Sequence, residues 1–360
     1  MFGLLIGVTL FLLVFMIIYL IKCLGMLKIV NKIKNKYLRL LVKVCPFIIL
    51  YLIFGFINAV VIVIHLFIFV VFSQFILFLY KKVSNKKIND YLFLLCGLVI
   101  TTIYLSIAAY LDYHVYETKY EVETTKEIGT NKFRIIQISD AHVGTTFDGK
   151  GFEKHIDKIS KIDADLIVIT GDFVDDNTSK KDMKDACAAL SKLKSKYGTY
   201  FVYGNHDEGY FSREYNPRDL AFELEQNNVT ILRDEVVELN DYIYLIGRQD
   251  ARYKRKDISE LVSNLDTNKY MIDLNHQPND YDNESKSNID LVLSGHSHGG
   301  QLFPLGYVGL ISGANDSFKG LTKRDNTTFI VNTGISNWEL IFKTGTSSEY
   351  TIIDIVKKGD

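Results

Sequence analysis

The chain has 360 residues, with 41 Lys/Arg against 42 Asp/Glu, and 48% of it is hydrophobic. The near-neutral total conceals a division: residues 1–113 carry 11 Lys/Arg and only the acids Asp90 and Asp112, leaving 30 basic and 40 acidic residues for 114–360. So acidic a C-terminal part argues against nonspecific nucleic-acid binding, which depends on Lys/Arg neutralising phosphates, while the length accommodates two domains. The four cysteines, Cys23, Cys45, Cys96 and Cys187, form no CxxC spacing and are expected to be buried small hydrophobes.

Residues 3–21 form an uncharged run of 19, close to the about 20 apolar residues that span a bilayer core. The run lacks the basic flank and small-residue cleavage site of a secretory signal, so a retained span is expected. Residues 44–80 form an uncharged run of 37 bounded by Lys43 and Lys81. That is too long for one span and fits two, 44–60 and 61–80, turning near residues 55–58. A further span is expected over 91–111. Residues 1–113 therefore read as a membrane anchor of about four helices, 114–131 as a linker or edge strand, and 132–360 as a catalytic domain. The loop at 22–43 carries Lys22, Lys28, Lys32, Lys34, Lys36, Arg39 and Lys43, and the loop at 81–90 carries Lys81, Lys82, Lys86 and Lys87. Basic loops stay cytoplasmic. The expected arrangement is a multi-pass cell-membrane protein with its catalytic domain outside the cytoplasm. His65 lies mid-membrane without a charged partner in sequence, and an interhelical hydrogen bond is expected of it.

Beyond Tyr113 the pattern becomes short apolar runs of β type, each ending in a polar cluster. The run at 133–139 leads into Asp140-Ala141-His142, that at 165–170 into Gly171-Asp172, and that at 199–203 into Gly204-Asn205-His206-Asp207. Further on, the run at 269–274 leads into Asn275-His276, and that at 290–294 into Gly295-His296-Ser297-His298. Helical candidates at 151–161 and 179–195 intervene, the first with Phe152, Ile156, Ile159 and Ile162 at helical spacing. Alternating strands and helices imply a largely parallel sheet covered by helices, and such sheets bind ligands at the carboxyl ends of their strands. Five of the chain's eight histidines lie in these clusters, an excess that a structural role leaves unexplained. Asp, His and Asn suit Mn, Fe, Zn or Co better than Ca or a thiolate-seeking ion. Seven such ligands are too many for one tetrahedral ion and suit two ions sharing a carboxylate, an arrangement that grips a phosphoryl group.

Asp140-Ala141-His142, Gly171-Asp172-Phe173-Val174-Asp175, Gly204-Asn205-His206-Asp207, the later His276 and Gly295-His296-Ser297-His298 stand in an order that resembles the calcineurin-like metallophosphoesterases (DxH, GDxxD, GNH[DE], His, GHxH). The resemblance covers about 133–355. With GHSHGGQ at 295–301 and the closing run SSEYTIIDI at 347–355, it is nearest to the membrane-associated or exported phosphodiesterases that carry GHTHGGQ. Some of those act on the pyrophosphate of a UDP-linked lipid A precursor. The resemblance implies a four-layer α-β-β-α sandwich of mixed sheets. It implies one divalent ion on Asp140, His142 and His298, another on Asn205, His276 and His296, and Asp172 bridging them, with Mn first and Fe, Zn or Co as alternatives. It implies a metal-bridging hydroxide as nucleophile and His206 as the group that protonates the leaving oxygen or stabilises phosphoryl charge. Asp207 and Asp175 would orient their neighbours.

Gly299-Gly300 reads as a tight turn, Arg248 and Arg252 as part of a solvated charge run, and Trp338, the single tryptophan, as packing. The expected function is a metal-dependent phosphohydrolase, a phosphodiesterase or pyrophosphatase, acting on a membrane-proximal and lipid-linked phosphoester. The rival of another class is a membrane receptor or transport component whose hydrolase-like domain only binds ligand. Rivals among enzymes are a nuclease, which the acidic domain disfavours, and a protein phosphatase, whose GDxxDRG and GNHE are absent, since Asp176-Asn177 follow Asp175 and Asp207 stands in place of Glu.

Overall fold

The computed structural model describes residues 2–84, 89, 91–210 and 214–358, so Lys86, Lys87 and Asp90 of the loop at 81–90 lie outside the described residues. The chain divides into two units, residues 1–108 and 109–360. The first is helical: α1 (Phe2–Leu24), α2 (Lys28–Asn31), α3 (Lys36–Ser84) and α4 (Leu92–Tyr113), whose last turn belongs to the second unit. A straight helix of 49 residues would run about 73 Å at 1.5 Å per residue, more than twice a bilayer core of about 30 Å. Within α3 the helix breaks at Gly55, whose φ of 73° and ψ of 176° are not helical. Helices α3 and α4 are long and apolar enough to cross a membrane, and α1 is apolar over Thr9–Leu24. Leu52, Phe56 and Phe78 on α3 and Leu98 and Ile103 on α4 are exposed, the reverse of a soluble core helix. His65 differs from expectation: its Nδ1 donates to the Val61 carbonyl within α3, at 2.8 Å, and its ring stacks on Tyr104 of α4 at 5.5 Å. The carbonyl one turn back lies within reach of the imidazole, so Nδ1 is satisfied without a second helix. Cys23 and Cys187 are buried, Cys45 and Cys96 partly so.

The second unit contains two six-stranded sheets. One has the order β1 (Tyr116–Thr124), β12 (Glu349–Lys357), β2 (Lys132–Ile138), β3 (Leu166–Thr170), β4 (Thr199–Val202), β5 (Val229–Leu232). The other runs β10 (Gly320–Arg324), β11 (Thr327–Val331), β9 (Leu291–Ser294), β8 (Tyr270–Leu274), β7 (Ile243–Gly247), β6 (Glu235–Asn240). Both are mixed. β2 to β5 are parallel and β12 runs against β2, while β7, β8, β9 and β11 are parallel and β6 and β10 run antiparallel at the edges.

Side chains alternate across a strand, and the core follows that alternation. On β2, Phe133 and Ile135 pack with Leu291 and Leu293 of β9 between the sheets, while Ile136 and Ile138 pack outward on α5 (Gly149–Ile159), α6 (Lys180–Leu190) and α7 (Pro217–Gln226). On β9, Val292 faces away, toward Ile258 of α8 (Ile258–Val262) and Tyr281 of α9 (Tyr281–Ser285). The layers are therefore α-β-β-α. Each fully buried Ile or Leu contributes about 1.5–3 kcal/mol, so a register slip of one residue, which would turn both faces inside out, is strongly disfavoured. Residues 116–124, inside the stretch read as a linker or edge strand, form β1, which pairs in parallel with β12. The linker reading is thus corrected by an alternation in which Tyr120 and Val122 turn inward between polar neighbours.

Candidate metal centre

The site is built at the carboxyl ends of five parallel strands. β2 ends in Asp140 and His142, β3 in Asp172, β4 in Asn205, β8 in His276, and β9 in His296 and His298. At the ends of β2, β3 and β9 the chain turns sharply and the backbone is left-handed: φ is 51° at Asp140, 35° at His142, 51° at Asp172, 69° at His296 and 48° at His298. Hydrogen bonds between the turns lock them together. Asp140 N donates to the Gly171 carbonyl at 3.0 Å, His142 N to that of Asp172 at 3.1 Å, and His296 N to Asp140 Oδ1 at 2.9 Å. Gly204 is required by close approach, since a Cβ there would fall on the Asp172 carboxylate.

Two groups of ligand-type side chains result, Asp140 with His142 and His298, and Asp172 with His276 and His296, each with donor atoms within 4.8 Å of one another. Asp172 Oδ2 lies between them, 3.6 Å from His142 Nε2 and 3.1 Å from His276 Nε2. Asn205 joins the second group, its Oδ1 3.2 Å from His276 Nε2. His276 Nδ1 donates to the Thr170 carbonyl at 2.7 Å and His142 Nδ1 to Asp175 Oδ2 at 3.1 Å, which leaves both Nε2 atoms turned to the site. His142 Nε2, His296 Nδ1 and His298 Nδ1 are buried without a hydrogen-bond partner among the described residues. Buried nitrogens left unpartnered are costly, and a divalent cation is what this donor set fits.

The charges agree. Burial opposes ionisation of Asp140 and raises its carboxyl to about 6, the nearby charge of Asp172 adding to it, although His276 and His142 oppose. Burial also disfavours a charged His276, but the carboxylates of Asp172, Asp140 and Asp250 outweigh it and raise its pKa to about 10. Burial lowers His296 to about 3, helped by the charge of His276. The carboxylates of Asp172 and Asp140 thus hold His276 charged, while burial keeps His296 neutral.

Asp207 takes no direct part in either group. Its carboxylate accepts from four backbone N–H groups: Asp172 N and Gly204 N on Oδ2, at 2.9 and 2.7 Å, and Phe173 N and Val174 N on Oδ1, at 2.8 and 3.1 Å. It fastens the turn that carries Asp172 to the turn that carries Asn205. Asp175 orients His142 and is itself held by Asn177 N at 2.8 Å. His206 is half-buried at the rim, its ring 5.2 Å from that of His142, and burial lowers its pKa.

Several neighbours escaped the sequence reading. The Trp338 ring stands 5.1 Å from His206, and the Tyr210 ring 5.0 Å from it. Together with Asp176, Asn177 and Glu339 these three line a hollow of about 420 Å³ beside the metal groups, so Trp338 stands at the rim of the site and is partly exposed. Arg252 stacks on Tyr210 at 3.6 Å and donates to the Asn205 carbonyl at 2.8 Å. Arg248 is not in a solvated run but buried, donating to Asp280 at 2.6 Å and Glu284 at 3.4 Å. Its carboxylate partners lie on and beside α9, a helix the sequence did not announce. Gly299 and Gly300 do form a tight turn, a single 3-10 turn from His298 to Gly300 with φ of 61° and 80°.

Residues 133–300 match the family model described as calcineurin-like phosphoesterase. A protein of Aquifex aeolicus named an uncharacterized metallophosphoesterase is 34% identical over 53% of this chain and 72% of its own length. This chain belongs to the calcineurin-like phosphoesterases. A second metallophosphoesterase, from Helicobacter pylori strain J99, is 33% identical over 63% of this chain and 60% of its own length. A zebrafish protein named a transmembrane protein with metallophosphoesterase domain is 30% identical over 62% of this chain and 53% of its own length. The chain thus spans little more than half of some of these relatives. Its calcineurin-like domain is that of a metal-dependent phosphoric ester hydrolase, and its two candidate cation groups match the family's dependence on a dinuclear centre.

Proposed function

We propose that this protein is a dinuclear-metal phosphodiesterase or pyrophosphatase that cleaves a lipid-linked phosphoester at the outer face of a membrane. The observation that carries the reading is Asp172 Oδ2, set 3.6 Å and 3.1 Å from histidine nitrogens of two separate ligand groups. One ion falls to Asp140, His142 and His298, the other to Asn205, His276 and His296, with Asp172 shared. Mn is the first choice, with Fe, Zn or Co as alternatives. Bound there, two ions supply positive charge to a phosphoryl group and lower the pKa of water at neutral pH. His206, at the rim and outside both groups, delivers a proton to the leaving oxygen. Asp207 and Asp175 hold the ligand turns. The hollow between Trp338 and Tyr210 receives the group esterified to phosphate. Membrane location is supported by the apolar helices and by the named transmembrane relative. The basic loop residues at 22–43 support the outer side.

The test uses the full chain, stripped of metal and given Mn²⁺, with bis-p-nitrophenyl phosphate compared with p-nitrophenyl phosphate. The diester is cleaved in preference and only with metal. Asp172→Ala loses metal and activity together. His206→Ala keeps its metal and loses about 10²–10⁴ in rate, the usual value of a general acid. Equal metal loss in the two variants sinks the assignment of roles. Full protection of the catalytic unit from protease added to intact cells sinks the outer location.

A further inference from the structure

One stretch of the catalytic unit does not fit an acidic soluble surface. Residues 297–315 contain no Lys, Arg, Asp or Glu. Within them, helix α10 (Leu305–Ile311) and its N-terminal flank expose large apolar side chains in succession. Phe303 is 62% exposed, Leu305 53%, Tyr307 52%, Val308 53% and Ile311 88%. Single exposed hydrophobics are ordinary, but a contiguous set marks an interaction surface. The set is held firmly. A Cβ on Gly300 would meet Gly306 Cα at 2.6 Å, so α10 lies directly on the turn after His298. The Tyr307 ring packs edge-on against Phe318 at 5.1 Å.

We infer that this segment rests in the interface of the chain's own membrane and holds the rim of the metal centre at the level of the lipid head groups. The argument for lipid, rather than a second copy or another protein, is continuity. The last apolar helix ends inside this unit, where Ser348 N donates to the Leu111 carbonyl at 2.9 Å and Ser348 Oγ to that of Asp112 at 2.7 Å. The same loop carries α10. Thr344 N donates to the Gln301 carbonyl at 2.9 Å, Phe303 N to Thr344 Oγ1 at 2.7 Å, and Lys319 Nζ to the Gly345 carbonyl at 2.8 Å. Thr344 and Ser348 are four positions apart, so their Cα atoms are at most about 14 Å apart, and one is hydrogen-bonded to the flank of α10 and the other to the end of α4. The composition suits the place: Phe303 and Tyr307 are residues of membrane interfaces, and the uncharged run offers nothing for anionic head groups to repel. Gln301 Nε2 also donates to the Trp338 carbonyl, at 3.1 Å, which ties the segment to the rim of the hollow.

The inference rests on the proposed function only for its consequence, that the enzyme takes phosphoesters from the head-group layer. The test therefore reads lipid contact and not catalysis. The full chain with Trp338→Phe, which removes its one tryptophan, receives Ile311→Trp, or Tyr307→Trp as a second reporter, and is reconstituted in liposomes. With bromine on shallow acyl positions, the reporter's emission falls roughly by half, consistent with the about 5–10 Å depth of interfacial segments. A control, Phe222→Trp on exposed α7, is not quenched. Quenching of the reporters by aqueous iodide and not by bromolipid overturns the inference in favour of a free surface. Protection from both quenchers overturns it in favour of a protein partner or a second copy. Absence of Mn-dependent cleavage would sink the enzymatic reading and leave these emission results unaffected.

Discussion

Consider Asp207→Asn. The wild-type carboxylate has two equivalent oxygens, and each accepts two backbone N–H groups. An amide has one acceptor oxygen and one NH₂. Whichever way Asn is turned, two N–H donors meet another donor, either Asp172 N and Gly204 N or Phe173 N and Val174 N. Leaving a buried donor unsatisfied costs about 1–3 kcal/mol, so the variant is destabilised by about 2–6 kcal/mol. For a domain of this size each kcal/mol lowers Tm by roughly 2–4 °C, so the apparent Tm falls by at least about 4 °C. The damage lies in the turn that positions Asp172, so Mn²⁺ affinity falls as well. The assay is thermal unfolding of the metal-free full chain in detergent, followed by Mn²⁺ titration of the folded variant at low temperature. An apparent Tm within about 1 °C of wild type, with unchanged affinity, refutes the argument that these four hydrogen bonds hold the site.

Asp175→Asn removes the carboxylate that sets the His142 tautomer and weakens Mn²⁺ binding about 10–100-fold. Titration that gives wild-type affinity contradicts the role. Trp338→Ala opens the hollow beside His206 and raises KM for the diester roughly 2–12-fold, the worth of an aromatic contact of about 0.5–1.5 kcal/mol, with kcat unchanged. A fall in kcat instead would make Trp338 part of the reacting geometry. Glu284 is raised to about 8 by burial and by the charge of Asp273. It therefore holds its proton in the folded chain well above the pH at which the unfolded chain releases it. That contribution to stability is full below pH about 4.5 and is lost as pH rises through about 8. Glu284→Gln, which cannot ionise, gains Tm over wild type progressively between those values, and parallel Tm profiles rule this out.

Much of the α/β domain was legible because its determinants are local. Runs such as LIVIT at 166–170 are continuous and buried on both faces, as parallel strands between helices and a second sheet must be. The ligand clusters were legible for a chemical reason. Few roles other than metal binding gather Asp140, His142, Asp172, His276, His296 and His298 at strand ends, and the structure brings them together in two groups. What stayed hidden depends on distant partners. Trp338 meets His206, and Asn177 bonds Glu339 across 162 residues, with nothing in either segment to mark the pairing. Arg248 looked solvated because its hydrogen-bond partners, Asp280 and Glu284, lie 32 and 36 residues on. The edge strand β1 was read as much as a linker because its pattern of Tyr120 and Val122 among acids and threonines is weakly apolar, and only pairing with β12 decides it.

The left-handed turns at Asp140, His142, Asp172, His296 and His298 restrict how this centre can vary. Among residues other than glycine, that backbone region is tolerated best by Asn, Asp and His. These are also oxygen and imidazole donors, so the conformation and the coordination chemistry draw on the same short alphabet. Glu or Cys can hold a metal equally well in solution, yet neither shares that tolerance at these five positions. A change of metal preference in this domain therefore meets least backbone cost at its other positions, such as Asn205 and His276, which do not have positive φ, or at the residues that orient the ligands. The backbone has in effect chosen the donor set before any ion arrives.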